Sequence, residues 1–222
     1  MPSSRPIIYV LAGVNGSGKS SVGGAIIRQN SANYFNPDEA ARKIHEANPG
    51  MSLFDANSIA WQEGKRLLEL AIAKHLDYAF ETTLGGETIT RLLEKATTAG
   101  LSVWVWYVGL DSPQHCIERV KARVADGGHD IPEEKILARY IQSPLNLIRL
   151  LPKLSRLLLF DNSKEGNPRK GKPPQPKLIL EFKAGLIVKT CDLSSAPDWT
   201  KPILAAALKL NQMNQKKPKP RR

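Results

Sequence analysis

The residues with the clearest chemistry are Gly13-Val14-Asn15-Gly16-Ser17-Gly18-Lys19-Ser20, which fit the pattern G-x-x-x-x-G-K-[S/T]. Glycines let backbone N–H groups turn inward on phosphate oxygens, and a following helix would present its positive end to them. Lys19 is expected to reach the β- and γ-phosphates of ATP, and Ser20 to ligate Mg²⁺. Gly13, Asn15, Gly16, Ser17, Gly18 and Ser21 complete the expected nucleotide-binding set.

A phosphate loop does not define a reaction, so the acceptor side has to come from elsewhere. Asp38 closes Asn36-Pro37-Asp38, just after an expected strand. There it could take the proton of an attacking hydroxyl. It could equally cap the helix that follows. Glu81 ends the apolar run Tyr78-Ala79-Phe80-Glu81-Thr82-Thr83. A carboxylate in that setting needs a partner, either a substrate or, through water, Mg²⁺. Arg119 and Arg123 are four apart and share one helix face. With Arg139 beyond the glycine-containing stretch Ala125-Asp126-Gly127-Gly128-His129-Asp130, they read as a lid over residues 116–140. Guanidinium groups suit the spread charge of a transferring phosphoryl group. His129 reads as a hinge or substrate contact. The Asn-Lys-x-Asp motif of regulatory GTPases is absent from the sequence.

The elements needed to hold these residues are readable from periodicity. Residues 7–12 form an apolar β-favouring run, followed by a helix over 19–29. A short strand over 32–35 and helices over 38–47 and 55–75 come next. A strand is predicted over 76–83, a helix over 87–99, a strand over 101–109 and a helix over 113–124. Pro113 after Ser112 is a helix-start signal. A helix over 132–152 is predicted to be interrupted at Ser143-Pro144. A fifth strand spans 156–161. The alternation predicts an α/β fold of the P-loop NTPase three-layer type, a five-stranded mainly parallel sheet with helices on both faces. A small C-terminal hairpin over 177–191, turning near Ala184-Gly185, and a helix over 201–209 follow.

The division expected is a kinase core over 1–163, a basic Pro/Gly-rich loop over 164–177, an appended hairpin and short helix over 178–210, and a disordered basic tail over 211–222. The net charge of +11 suggests nucleic acid, but most of it lies in the loop and the tail. Both read as solvated stretches. The chain shows no apolar run long enough to span a membrane, and 7–12 is too short for a signal-peptide core, which predicts a cytoplasmic protein. Two cysteines, Cys116 and Cys191, make no disulfide framework or Cys-rich metal site.

Taken together, residues 13–20, Asn36-Pro37-Asp38, Phe80-Glu81-Thr82-Thr83 and the arginines around Gly-Gly-His resemble the zeta-toxin family, P-loop kinases that phosphorylate UDP-N-acetylglucosamine. The resemblance spans about 7–163. It implies that Asp38 activates the sugar hydroxyl, that Glu81 and Thr83 touch substrate, and that the lid arginines touch phosphates. It places Asn162 and Ser163 near the adenine and implies an antitoxin partner. Family toxins tend to carry Gly and Arg after the strand-end glutamate, where this chain has Thr82 and Leu84-Gly85-Gly86. The leading expectation is a kinase acting on a sugar nucleotide or another small molecule. A nucleoside or antibiotic phosphotransferase and a polynucleotide 5′-kinase using the basic tail are the competing readings.

Overall fold

A computed structural model describes residues 5–21, 34–126, 128, 130–164 and 175–216. Strand β1, Ile7–Gly13, is the centre of the molecule. It pairs in parallel with β3, Tyr78–Thr82, on one side and with β4, Ser102–Gly109, on the other. β2, Tyr34–Phe35, lies outside β3, and β5, Arg156–Asp161, lies beyond β4. All these pairings are parallel, so every strand of this part ends at the same edge of the sheet. In such a sheet the ligand crevice lies outside the carboxyl ends of the strands.

Alternate β1 residues face opposite sides. Ile8, Val10 and Ala12 join the main core, whereas Tyr9 and Leu11 pack with Ala79 and Trp106. The main core is completed by helices α2 (Leu53–Lys74), α3 (Glu87–Thr98) and α5 (Glu133–Leu150). They contribute Leu68, Ile72, Leu93, Ala96, Leu147 and Leu150. α1 (Pro37–Ala47) packs on α2, and α4 (Pro113–Ala125) packs on α5. The helix that opens at Lys19 is described only as far as Ser21.

Three sequence expectations change. The hairpin is not an appendage beside a five-stranded sheet. β6, Lys177–Lys183, pairs antiparallel with β5, and β7, Leu186–Thr190, with β6. One seven-stranded sheet results, in the order β2-β3-β1-β4-β5-β6-β7. Ala184 and Gly185 both have positive φ, which gives the hairpin its tight two-residue turn.

The second change concerns the C-terminal helix. α6 runs Lys201–Gln215, through part of the segment expected to be a disordered tail. Asn211 and Asn214 are poor helix formers, which is why the sequence suggested an earlier end. Their side chains hold the hairpin instead. Asn211 Oδ1 accepts from Ile187 N at 3.0 Å, and Asn214 Nδ2 donates to the Gly185 carbonyl at 3.1 Å. Residues 217–222 and 165–174 lie outside the described residues, so the expectations for the basic tail beyond Lys216 and for most of the basic loop rest there.

The third change is that α5 passes through Pro144 without the expected interruption. Tertiary bonds around the proline override its local cost. Ser143 Oγ donates to the Thr83 carbonyl at 2.6 Å and lies 2.8 Å from the Tyr107 hydroxyl. Asn146 Nδ2 donates to the Leu84 carbonyl at 2.8 Å. These bonds secure the segment after Glu81, where Leu84 adopts a left-handed φ of 54° with its side chain fully buried. Ser143→Ala leaves buried polar partners unpaired, which costs about 1–3 kcal/mol. The expected result is a lower denaturant midpoint with an unchanged m-value, measured by urea titration.

Candidate active site

The carboxyl ends of β1, β2 and β3 converge on a cleft of about 1080 Å³. At its base the phosphate loop turns with φ of 72° at Gly16 and 76° at Gly18, a left-handed backbone that suits glycine. Space demands glycine as well. A Cβ on Gly16 would lie 2.9 Å from the Cys116 carbonyl oxygen and 3.2 Å from Arg119 Cβ. A Cβ on Gly18 would lie 2.9 Å from Asn162 Nδ2. α4 and the end of β5 are therefore seated directly on the loop. Burial pushes the Cys116 thiol up to about 12, so this cysteine is a protonated packing residue beside the loop rather than a nucleophile.

Lys19 is buried, and its ammonium donates to the Val14 carbonyl at 3.1 Å, which curls the chain around the loop. Desolvation lowers its pKa from the usual lysine value, while Glu81 and Asp38 oppose the shift. Glu81 is buried as well, so its carboxylate does need partners, as its place in an apolar run suggested. Its carboxylate receives Ser20 Oγ at 2.9 Å, the Tyr34 hydroxyl at 2.7 Å and Asn36 Nδ2 at 3.2 Å. Lys19 Nζ lies 3.9 Å away. A buried carboxylate is tolerable only with such a set of donors.

Asn36, not Asp38, caps α1. Its Oδ1 accepts from Asp38 N at 2.9 Å and Glu39 N at 3.2 Å. Asp38 is thus relieved of the capping role that the sequence left open. It lines the cleft and pairs with Arg123 at 3.7 Å. Arg119, Arg123 and Arg139 all line the same cleft. Arg139 Nη1 donates to Asn15 Oδ1 at 3.4 Å, and its stem packs over Gly85, where a Cβ would lie 2.7 Å from Arg139 Cγ. Burial lowers the Arg139 pKa, with Asp38 opposing. Thr83 lines the cleft, while its hydroxyl accepts weakly from Gly85 N at 3.4 Å.

Asn15, Gly16, Gly18, Ser20 and Ser21 also line the cleft. Gly13 and Ser17 do not belong to the lining. Gly13 sits tightly against the Val108 backbone, and Ser17 is fully buried. Asn162, expected near an adenine, lines the cleft although it is nearly buried, and donates from Nδ2 to the Ser17 carbonyl at 2.9 Å. His129 lies outside the described residues.

Sequence reasoning missed Tyr34 and the capping role of Asn36, because their contact with Glu81 forms only when β2 pairs with β3. It also missed one wall of the cleft, Phe54, Asn57, Ser58, Trp61 and Lys65. Their helical spacing along α2 was the available signal. Phe54 is 74% exposed and Trp61 42%, unusual for large aromatic side chains. No group of three or more His, Cys, Asp or Glu that could hold a metal exists among the described residues. Nor is any described helix long and apolar enough to cross a membrane.

Comparison with known proteins agrees with this geometry. An uncharacterized protein of Haemophilus influenzae is 32% identical over 138 residues, which cover 62% of this chain and 93% of that one. Among solved structures, the AvrRxo1-ORF1:AvrRxo1-ORF2 complex with ATP aligns at a TM-score of 0.64 and 13% identity, covering 92% of this chain. This chain spans 64% of the length of that one. The PezAT chromosomal toxin–antitoxin system of Streptococcus pneumoniae aligns at 0.53 and 13% identity, covering 98% of this chain and 90% of the other. At these identities the structural likeness concerns the fold. The zeta toxin family profile matches residues 1–163, from ahead of β1 to just past the end of β5. The chain therefore belongs to the zeta toxin family.

Proposed function

We propose that the protein is an ATP-dependent kinase that transfers the γ-phosphoryl group to a hydroxyl of a small molecule, with a UDP-N-acetyl sugar as the acceptor. Family membership supports a kinase-like phosphotransferase. The observation that carries the reading is that Lys19, Ser20 and Glu81 meet at the phosphate loop while Asp38 and Arg123 pair on the same cleft. In the transfer, the acceptor oxygen forms a bond to the γ-phosphorus as the bond from that phosphorus to the β–γ bridging oxygen breaks. The hydroxyl proton goes to Asp38, and ADP leaves with the bridging electrons. Arg119, Arg123 and Arg139 hold phosphate oxygens, with Lys19 at the β/γ bridge.

The donor set fits the ligands this requires. Ser17 Oγ and Asn162 Oδ1 are buried beside the loop with no hydrogen-bond partner among the described residues. Ser20 Oγ and the Glu81 carboxylate, 2.9 Å apart, are hard oxygen donors suited to Mg²⁺, directly for the hydroxyl and through water for the carboxylate. When bound, the ion would neutralise phosphate charge.

The α2 wall supports a ring-bearing acceptor. Phe54 and Trp61 offer aromatic surface, Asn57 and Ser58 offer hydrogen bonds, and Lys65 offers a cation for a diphosphate. The structural likeness to a toxin–antitoxin system and the family itself support an antitoxin partner.

The test is incubation with ATP·Mg²⁺ and a panel of UDP-sugars, nucleosides and oligonucleotides, followed by mass spectrometry. The expected result is a gain of one phosphoryl group on a UDP-N-acetyl sugar. A gain confined to nucleosides or oligonucleotides overturns the acceptor, and no gain anywhere with ATP unconsumed overturns the kinase.

A further inference from the structure

The family match ends at residue 163, but the chain beyond it returns to the site. Asp198–Thr200 forms a single 3-10 turn ahead of α6. From that turn the Trp199 ring lies over Gly109 so closely that no Cβ could be placed there. It also lies 6.2 Å, centroid to centroid, from the buried Tyr107 ring. Trp199 Nε1 donates to Asp161 Oδ1 at 2.9 Å. Trp199 thus covers the end of β4 and bonds the end of β5.

Asp161 is the start of a short relay. The same Oδ1 accepts from Ser163 Oγ at 2.6 Å. That hydroxyl oxygen accepts from Asp111 N at 2.9 Å, one residue before Ser112, which caps α4. Asn162, between them, donates its backbone N–H to the Gly109 carbonyl at 3.0 Å and its side chain to the Ser17 carbonyl. One branch therefore reaches the phosphate loop and the other reaches the start of the helix carrying Arg119 and Arg123.

We propose that Trp199 is a positioning residue, which through Asp161 fixes the 161–163 turn and thereby aligns the phosphate loop with the lid helix for nucleotide binding. The C-terminal segment then belongs to the nucleotide grip rather than to the hairpin alone. The inference rests on the kinase reading only in naming ATP as the ligand.

Trp199→Phe keeps an aromatic ring over Gly109 and removes the N–H. In the full-length protein without nucleotide, amide hydrogen exchange should rise several-fold in peptides covering 13–21 and 110–118, while those covering 78–82 stay unchanged. ATP affinity measured by calorimetry should weaken about tenfold, the scale of losing one hydrogen bond to a charged group. Asp161→Asn keeps Oδ1 and removes the charge. Combined with Trp199→Phe it should weaken ATP binding by less than the product of the single effects. Exchange changes confined to 196–203 overturn the proposal, as does wild-type ATP affinity in Trp199→Phe. A wild-type protein that does not bind ATP contradicts the kinase reading instead, and the exchange pattern still decides the role of Trp199.

Discussion

Lys19→Ala should lower phosphoryl transfer about 10²–10³-fold, the scale of losing one preorganised donor at developing charge, and leave the fold intact. The structure separates these two effects. The Lys19 ammonium sits at the bottom of the cleft, desolvated, and its own contacts are the Val14 carbonyl and the more distant Glu81. In the ligand-free protein such a charge contributes little to stability, because burial opposes what the neighbouring carboxylates give. Its removal leaves Glu81 still accepting from Ser20, Tyr34 and Asn36, so no buried acid is left unpartnered. The melting temperature of the ligand-free variant should therefore stay within a few degrees of wild type. Stabilisation by added ATP should shrink, because binding energy at the β/γ bridge is lost. Thermal melts with and without ATP, run beside the transfer assay, measure both. Transfer at wild-type rate would remove the phosphate loop from the mechanism.

The parts of the site that were legible in the sequence are those built from local chain. The phosphate loop is eight consecutive residues between a strand and a helix start, so its geometry depends on little outside itself. The parallel core was readable because β1, β3 and β4 are mostly apolar runs separated by amphipathic helices. Tertiary features were not. Tyr34 and Asn36 reach Glu81 across 47 and 45 residues of chain, and nothing in their local pattern announces a carboxylate partner. Trp199 meets Asp161 only because the hairpin between them folds back onto β5. Pro144 and the asparagines of α6 were read by propensity, and at both places side-chain bonds to distant backbone outweigh it. The glycines after Glu81 also have a spatial consequence. Gly85 makes room for the stem of Arg139, which brings a guanidinium to that side of the cleft from α5.

Asp38→Asn should keep ATP binding and lose transfer by about 10²–10⁴-fold, the usual contribution of a general base. The sequence left a structural role for Asp38 in competition with this one, and the two would have been hard to separate had Asp38 been the cap. With Asn36 capping α1, the substitution touches no hydrogen bond on which the helix end depends. What it removes structurally is small. A negative charge in the first helical turn contributes about 0.3–1 kcal/mol, and Glu39 still supplies one. The pair with Arg123 is 3.7 Å long, with side chains 60% and 40% exposed, so solvent screens it to a similarly small value. Loss of the carboxylate frees Arg123 from that pairing and removes one negative charge that opposes phosphate, so ATP affinity should hold or rise slightly. In the proposed transfer the acceptor hydroxyl meanwhile loses its proton acceptor, since a neutral amide is no base at any working pH. The expected pattern is a near-native melt, near-native ATP titration and a collapse of kcat for transfer. Asp38→Glu, which keeps the base but moves it by one methylene, should recover part of the rate. An Asp38→Asn enzyme whose transfer stays within about threefold of wild type, well under the general-base scale, would exclude Asp38 from proton transfer and leave it as a counter-charge for the cations of the cleft.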